Sequence, residues 1–165
     1  MRLIKAGVML AALMALGACE GNNIFGGGGG AGQTPGSGAI EESSLAYFNT
    51  TIGDTILFAV NEATINPAAK QILDAQVAWL NKYPERRITI EGHADEQGTR
   101  EYNLALGARR AAAVQNYMVS AGLLATRLSI ISYGKERPLA VCSTEACWSQ
   151  NRRAVTVVAG GMGNV

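Results

Sequence analysis

The sequence predicts an α/β fold, a two-layer sandwich, and three observations carry that prediction. Ala69, Leu73, Val77 and Leu80 recur at helical spacing, as do Ala111, Val114, Met118 and Ala121. Four short β-type runs lie around these two stretches. The resulting order, β-α-β-α-β-β, places both helices on one face of a mixed sheet.

Each element has its own signal. Thr55-Ile56-Leu57-Phe58 is a short apolar strand. Asn66-Pro67 opens the first helix, with Asn as N-cap and Pro at the first helical position. Asp74 lies off its apolar stripe, and Tyr83-Pro84 closes it. Residues 87–91 alternate around Ile88 and Ile90, which makes a strand. A polar loop is expected over 92–98. The second helix runs to Ser120 and stops at Gly122. Residues 128–133 and 153–158 complete the sheet, Val155 and Val157 sharing one face.

The N-terminal region has a different character. Arg2 and Lys5 precede an uncharged run from Ala6 to Ala15, and Leu16-Gly17-Ala18-Cys19 follows. That is the layout of a secretory signal, and the run is too short to span a bilayer. Cys19 at the cleavage point resembles the lipobox of bacterial lipoproteins. The resemblance implies a signal peptide over 1–18 and lipids, a thioether diacylglycerol and an N-acyl chain, on Cys19. Several chains hold a protein far more firmly than one, each buried methylene adding ~0.8 kcal/mol. That family's sorting rule retains Asp-following proteins in the inner membrane. Glu20 stands there instead, so the expected location is the outer membrane with the domain facing the periplasm.

Gly26 to Gly30 is an unbroken glycine run, followed by Gly32, Pro35, Gly36 and Gly38. Such a segment buries too little apolar surface to order itself. The expected organisation is a tether over 19–44, a domain over 45–160 and a short tail over 161–165. A coil of ~25 residues has an r.m.s. span of ~28 Å. Removing 1–18 takes two of the 14 basic residues against 13 acidic, leaving a net charge of −1. Nothing there favours nucleic acid. With Cys19 lipidated, Cys142 and Cys147 remain as an even pair, which in an exported chain reads as a disulfide. A zinc site is the alternative, but the chain has 1 His and no second Cys pair. No cofactor is expected.

The densest polar cluster, residues 91–98, falls where a strand hands over to a helix, a common ligand position in α/β folds. An enzyme would use His93 as base with Asp95 or Glu96 as its partner, yet no Ser or Cys nucleophile sits in a recognisable elbow. A metal site would use the same three side chains without a second ligand cluster. A solvated turn with a core-facing His93 is the plain structural reading.

Wider motifs decide among these. Residues 92–99 read Gly-His-Ala-Asp-Glu-Gln-Gly-Thr, and Glu101-Tyr102-Asn103-Leu104 follows. Then come Leu106-Gly107-Ala108-Arg109-Arg110-Ala111, Ser132-Tyr133-Gly134 and Asn151-Arg152-Arg153-Ala154-Val155. Together with residues 58–65, they resemble the OmpA-like peptidoglycan-binding domain over about 54–159. Within that family the lipoproteins of the Tol-Pal system are the nearest in pattern.

The resemblance implies no enzyme but a receptor for the diaminopimelate of peptidoglycan stems. That ligand presents an ammonium and a carboxylate on one carbon. By motif, Asp95 takes the ammonium and Arg110 forks onto the carboxylate, as guanidinium geometry favours. Asn61 falls on the pocket wall, and backbone N–H groups near Gly98 and Thr99 add donors. The resemblance further implies TolB and other Tol proteins as partners, and a role in envelope integrity and cell division. The Cys142–Cys147 segment departs from the usual pattern of those lipoproteins. The runner-up is an OmpA-like lipoprotein anchoring a different envelope or secretion assembly. A porin-type barrel is disfavoured by the few residues before the domain. A straight helix from Thr99 carries Arg110 ~16 Å along its axis. Contact with Asp95 is therefore expected to need a bend or restart near Leu106-Gly107.

Overall fold

The computed structural model describes residues 40–159. The signal peptide, Cys19, most of the tether and the tail lie outside the described residues. A three-residue helix α1, Leu45–Tyr47, opens the unit and runs into a π-helical turn over Phe48–Gly53. Then come β1 (Thr55–Leu57), α2 (Pro67–Lys82), β2 (Ile88–His93), α3 (Arg100–Ser120), β3 (Leu128–Gly134), α4 (Glu145–Asn151) and β4 (Arg153–Val158).

The sheet order is β1-β4-β2-β3. β2 pairs parallel to β3, with Ile88 opposite Leu128, and antiparallel to β4, with Ile90 opposite Thr156. β1 completes the sheet antiparallel to β4. The mixed α/β sheet matches the fold read from the sequence. α4 is the addition, a short helix that starts inside the loop closed by the Cys142–Cys147 disulfide and runs four residues past it.

Both long helices pack on one core. Leu73, Val77 and Leu80 from α2 and Ala111, Val114 and Met118 from α3 meet Ile56, Ile88, Ile90 and Val158 from the sheet. Burying side chains of this size contributes roughly 1.5–3 kcal/mol each. The caps follow the sequence signals. Asn66 Oδ1 accepts from the Ala69 N–H at 2.8 Å, and Thr99 Oγ1 from the Tyr102 N–H at 3.2 Å. The end of α2 and the turn after it find a partner in Arg127, whose guanidinium donates to the carbonyls of Leu80, Tyr83 and Arg86.

Order begins before residue 45. The Trp79 indole N–H donates to the Glu42 carbonyl at 2.7 Å, and Arg86 donates to the Ser43 carbonyl at 2.7 Å. Arg86 also lies over the Trp79 ring, 5.2 Å from its centre. The last residues assigned to the tether are thus docked on α2.

The expected bend in the second helix is corrected. α3 is one continuous helix of 21 residues. Gly107 serves another purpose: it lets α3 lie directly on β2. A Cβ built on Gly92 would sit 1.9 Å from the Gly107 carbonyl oxygen, and one on Gly107 would sit 2.8 Å from the Gly92 oxygen. Only hydrogens fit between these backbones.

Candidate functional site

That close crossing builds the site. β2 delivers Asp95 just past its end, and α3 delivers Arg110 one turn after the Gly92–Gly107 contact. Helical side chains lean toward the helix N-terminus, so Arg110 reaches back to the strand end without any kink.

Arg110 is fully buried. Its Nε donates to the Glu62 carbonyl at 2.8 Å, Nη1 to His93 at 2.8 Å and Nη2 to Ala59 at 3.0 Å. One guanidinium therefore fastens the 59–62 turn to the strand end that carries Asp95. Asn61 occupies that turn with φ 58°, a conformation Asn tolerates better than most residues. Burial lowers the Arg110 pKa to about 10, with Asp95 opposing the fall, so the group stays charged at neutral pH. Three of its five N–H groups are thus committed to main-chain carbonyls, and one on each Nη remains.

The ion-pair partner of Asp95 is Arg152. Its Nη1 lies 3.3 Å from Asp95 Oδ2, and both side chains are buried. The other Asp95 oxygen accepts from the Gln97 N–H at 3.2 Å. Arg152 Nε donates to the Phe58 carbonyl at 3.3 Å. Its outer edge grips Glu145 in a two-pronged pair, with Nη1 3.2 Å from Oε2 and Nη2 on Oε1. Hydrogen bonding to Arg152 holds the Glu145 carboxyl below its ordinary range.

Gly98 and Thr99 shape the loop. Gly98 has φ 95°, and its carbonyl accepts from Lys135 Nζ at 2.7 Å. Thr99 caps α3, and Asn103 Nδ2 holds the Gln97 carbonyl at 2.9 Å. Trp148 reaches from α4 to donate its indole N–H to Glu96 Oε1 at 3.1 Å. Asn61, Gly98 and Thr99 are all exposed.

His93 makes no hydrogen bond to Asp95. Both ring nitrogens are buried without a hydrogen-bond partner, and Nε2 is 3.6 Å from Glu91 Oε2. Burial, then the charges of Arg153 and Arg137, lowers its pKa to about 4, so it is neutral at pH 7. Among the described residues no group of three His, Cys, Asp or Glu is placed to hold a metal ion. None of their helices is long and apolar enough to cross a membrane. An apolar hollow lined by Thr55, Leu57, Ala69 and Ile72 lies at the β1–α2 edge and includes none of the site's charged groups.

Sequence reasoning found Asp95 and Arg110 and placed Arg152 beside the last strand. It missed Glu145. The only available signal was a carboxylate inside the Cys142–Cys147 bracket, seven residues before Arg152.

A mixed four-stranded sheet of this order, with a carboxylate and two guanidiniums gathered at a strand-to-helix junction, defines a small α/β domain of a recurring class. The OmpA family profile matches residues 57–153, and the chain belongs to that family. A peptidoglycan-associated lipoprotein of Rhizobium meliloti is 56% identical over 130 residues, covering 79% of this chain and 74% of the relative. The protein of that name from Haemophilus influenzae is 38% identical over 154 residues, covering 93% and 97%. The crystal structure of the peptidoglycan-associated lipoprotein from Burkholderia pseudomallei superposes with a TM-score of 0.65 at 34% identity, covering 67% of this chain and 96% of that one. The C-terminal domain of Helicobacter pylori MotB shares the fold, with a TM-score of 0.62 at 22% identity.

Proposed function

We propose that this chain is a lipid-anchored, non-enzymatic receptor that holds the outer membrane to the peptidoglycan wall. The observation that carries this reading is the buried Asp95 carboxylate set beside the guanidiniums of Arg110 and Arg152. A ligand bearing an ammonium and a carboxylate on one carbon complements that arrangement: its ammonium goes to Asp95, its carboxylate to the guanidinium side. The diaminopimelate residue of peptidoglycan stems has this chemistry, and the relatives are named for their association with peptidoglycan. Asn61, on the turn that Arg110 fastens, and the exposed loop at Gly98 and Thr99 are the proposed flanking contacts.

Cys19 carries the lipids, residues 1–18 are removed, and the glycine-rich segment lets membrane and wall sit in different layers. Tethering raises the local concentration of each receptor, so many weak contacts hold firmly. TolB is the partner proposed to alternate with the wall. Crosslinking in cells followed by purification tests this; recovery without TolB refutes it.

The direct test is retention of the full chain on two insoluble walls, one with diaminopimelate and one with lysine at the third stem position. Retention on the first alone is expected. Asp95→Asn keeps the side-chain shape and removes the charge, and is expected to cut retention at least tenfold; because it also breaks a buried pair with Arg152, Tm is expected to fall, and near-UV circular dichroism checks that the variant is folded at the assay temperature. Equal retention on both walls, untouched by Asp95→Asn, overturns the reading.

A further inference from the structure

We propose that Glu145 is the site's resident anion: it fills the outer edge of the Arg152 guanidinium that a ligand carboxylate takes, so binding is an exchange of one carboxylate for another. This rests on the receptor reading above and adds the residue that sets its threshold.

The donor inventory of Arg152 supports it. Nε is spent on the Phe58 carbonyl, and Nη1 is shared between Asp95 and Glu145. The remaining edge, Nη1 with Nη2, meets the 62%-exposed Glu145 and is the fork geometry that matches a carboxylate. Glu145 occupies both prongs. A second carboxylate reaches the fork only when Glu145 leaves.

The two carboxylates on Arg152 differ in how easily they leave. The Asp95 side chain is 9% exposed, and that of Glu145 is 62% exposed. Releasing Asp95 would strand charges in a dry site, whereas Glu145 carries its own charge into water and leaves the Arg152 fork to the incoming carboxylate. Asp95 is thus the permanent half of the site and Glu145 the exchangeable half.

The segment carrying Glu145 is held in place. The Cys142–Cys147 disulfide brackets it, and the Trp148 indole ties it to Glu96 on the Asp95 loop. Asn151, at its far end, bonds the Leu139 and Ala140 N–H groups and the Ala140 carbonyl. A carboxylate presented from so fixed a support returns to Arg152 whenever a ligand departs. It also favours ligands whose ammonium engages Asp95 at the same time, because a lone carboxylate gains only what Glu145 gives up.

The test uses the full chain with 15N-labelled arginine and acetate as the probe. The Arg152 Nε–H signal is assigned by its absence in Arg152→Lys. In Glu145→Gln that signal is expected to respond to about two- to fivefold less acetate than in the unaltered protein, the range that exposed ion pairs support. Glu145→Asp, with a shorter reach, is expected to fall between them. Near-UV circular dichroism checks that each variant is folded. On diaminopimelate walls Glu145→Gln is expected to be retained more strongly by a similar factor. Identical acetate responses in all three proteins overturn the proposal, whatever the walls do. An acetate difference with no retention of any protein on walls upholds the exchange at Arg152 and removes peptidoglycan as the ligand.

Discussion

Arg110 spends its charge on the chain itself. Three main-chain carbonyls from two segments converge on one guanidinium, each bond charge-assisted and worth about 1.5–3 kcal/mol. Arg110→Lys keeps the charge but offers one point donor in place of a planar fork. It is expected to lower unfolding stability by about 3 kcal/mol in urea titration and to loosen the 59–62 turn. His93 gives a second residue-scale expectation. Unfolded, the imidazole takes a proton near 6.5; folded, near 4. Between those values the unfolded chain binds more protons, so stability falls as pH drops from 6.5 to 4, by about 3 kcal/mol from this group. His93→Leu is expected to lack that component, read as the difference between two stability-versus-pH curves. Asp95 and Arg110 were legible because each sits in a dense motif. Glu145 was not, because its contact depends on a short helix that turns it back onto Arg152.

At the scale of elements, the glycine pair decides the site. A helix normally stands off a sheet by the thickness of its side chains; here α3 and β2 meet backbone to backbone. Gly92→Ala is expected to cost 3 kcal/mol or more, or to prevent folding, because its Cβ would meet the Gly107 carbonyl at 1.9 Å. Gly122→Ala meets nothing within 4 Å and pays only for φ 100°, so about 1 kcal/mol is expected. Thermal melts of the two variants separate close approach from backbone strain. The helices and strands were readable from periodicity and caps, Asn66 and Thr99 above all. The expected break at Leu106-Gly107 was wrong because a helical glycine signals either a kink or a near neighbour, and sequence spacing does not distinguish them. α4 went unread because seven residues around a disulfide carry too little periodicity.

For the whole molecule, one core joins all four strands to both long helices, and the segment with α4 lies outside it. Breaking the Cys142–Cys147 link by Cys142→Ser with Cys147→Ser is therefore expected to remove about 2 kcal/mol at most, the scale for so short a loop. Amide exchange is expected to quicken around α4 and to stay slow in β2 and α3. The order of the main elements was written in the sequence, since each strand and long helix carries its own local signal. The place where order starts was not, since Glu42 and Ser43 are held largely through their main-chain carbonyls, by Trp79 and Arg86, with one exposed ion pair from Glu42 to Lys82.

Those contacts bear on mechanics. If a pull is applied through the residues before 41, it first meets the Trp79 indole and the Arg86 guanidinium, both rooted in or beside α2. Load enters through α2 and the turn after it and bypasses the three-residue edge strand β1, which would otherwise unzip one bond at a time. Trp79→Phe keeps the ring and deletes the N–H. In single-molecule stretching it is expected to shift the first yielding event to lower force, leaving the main rupture of the domain in place.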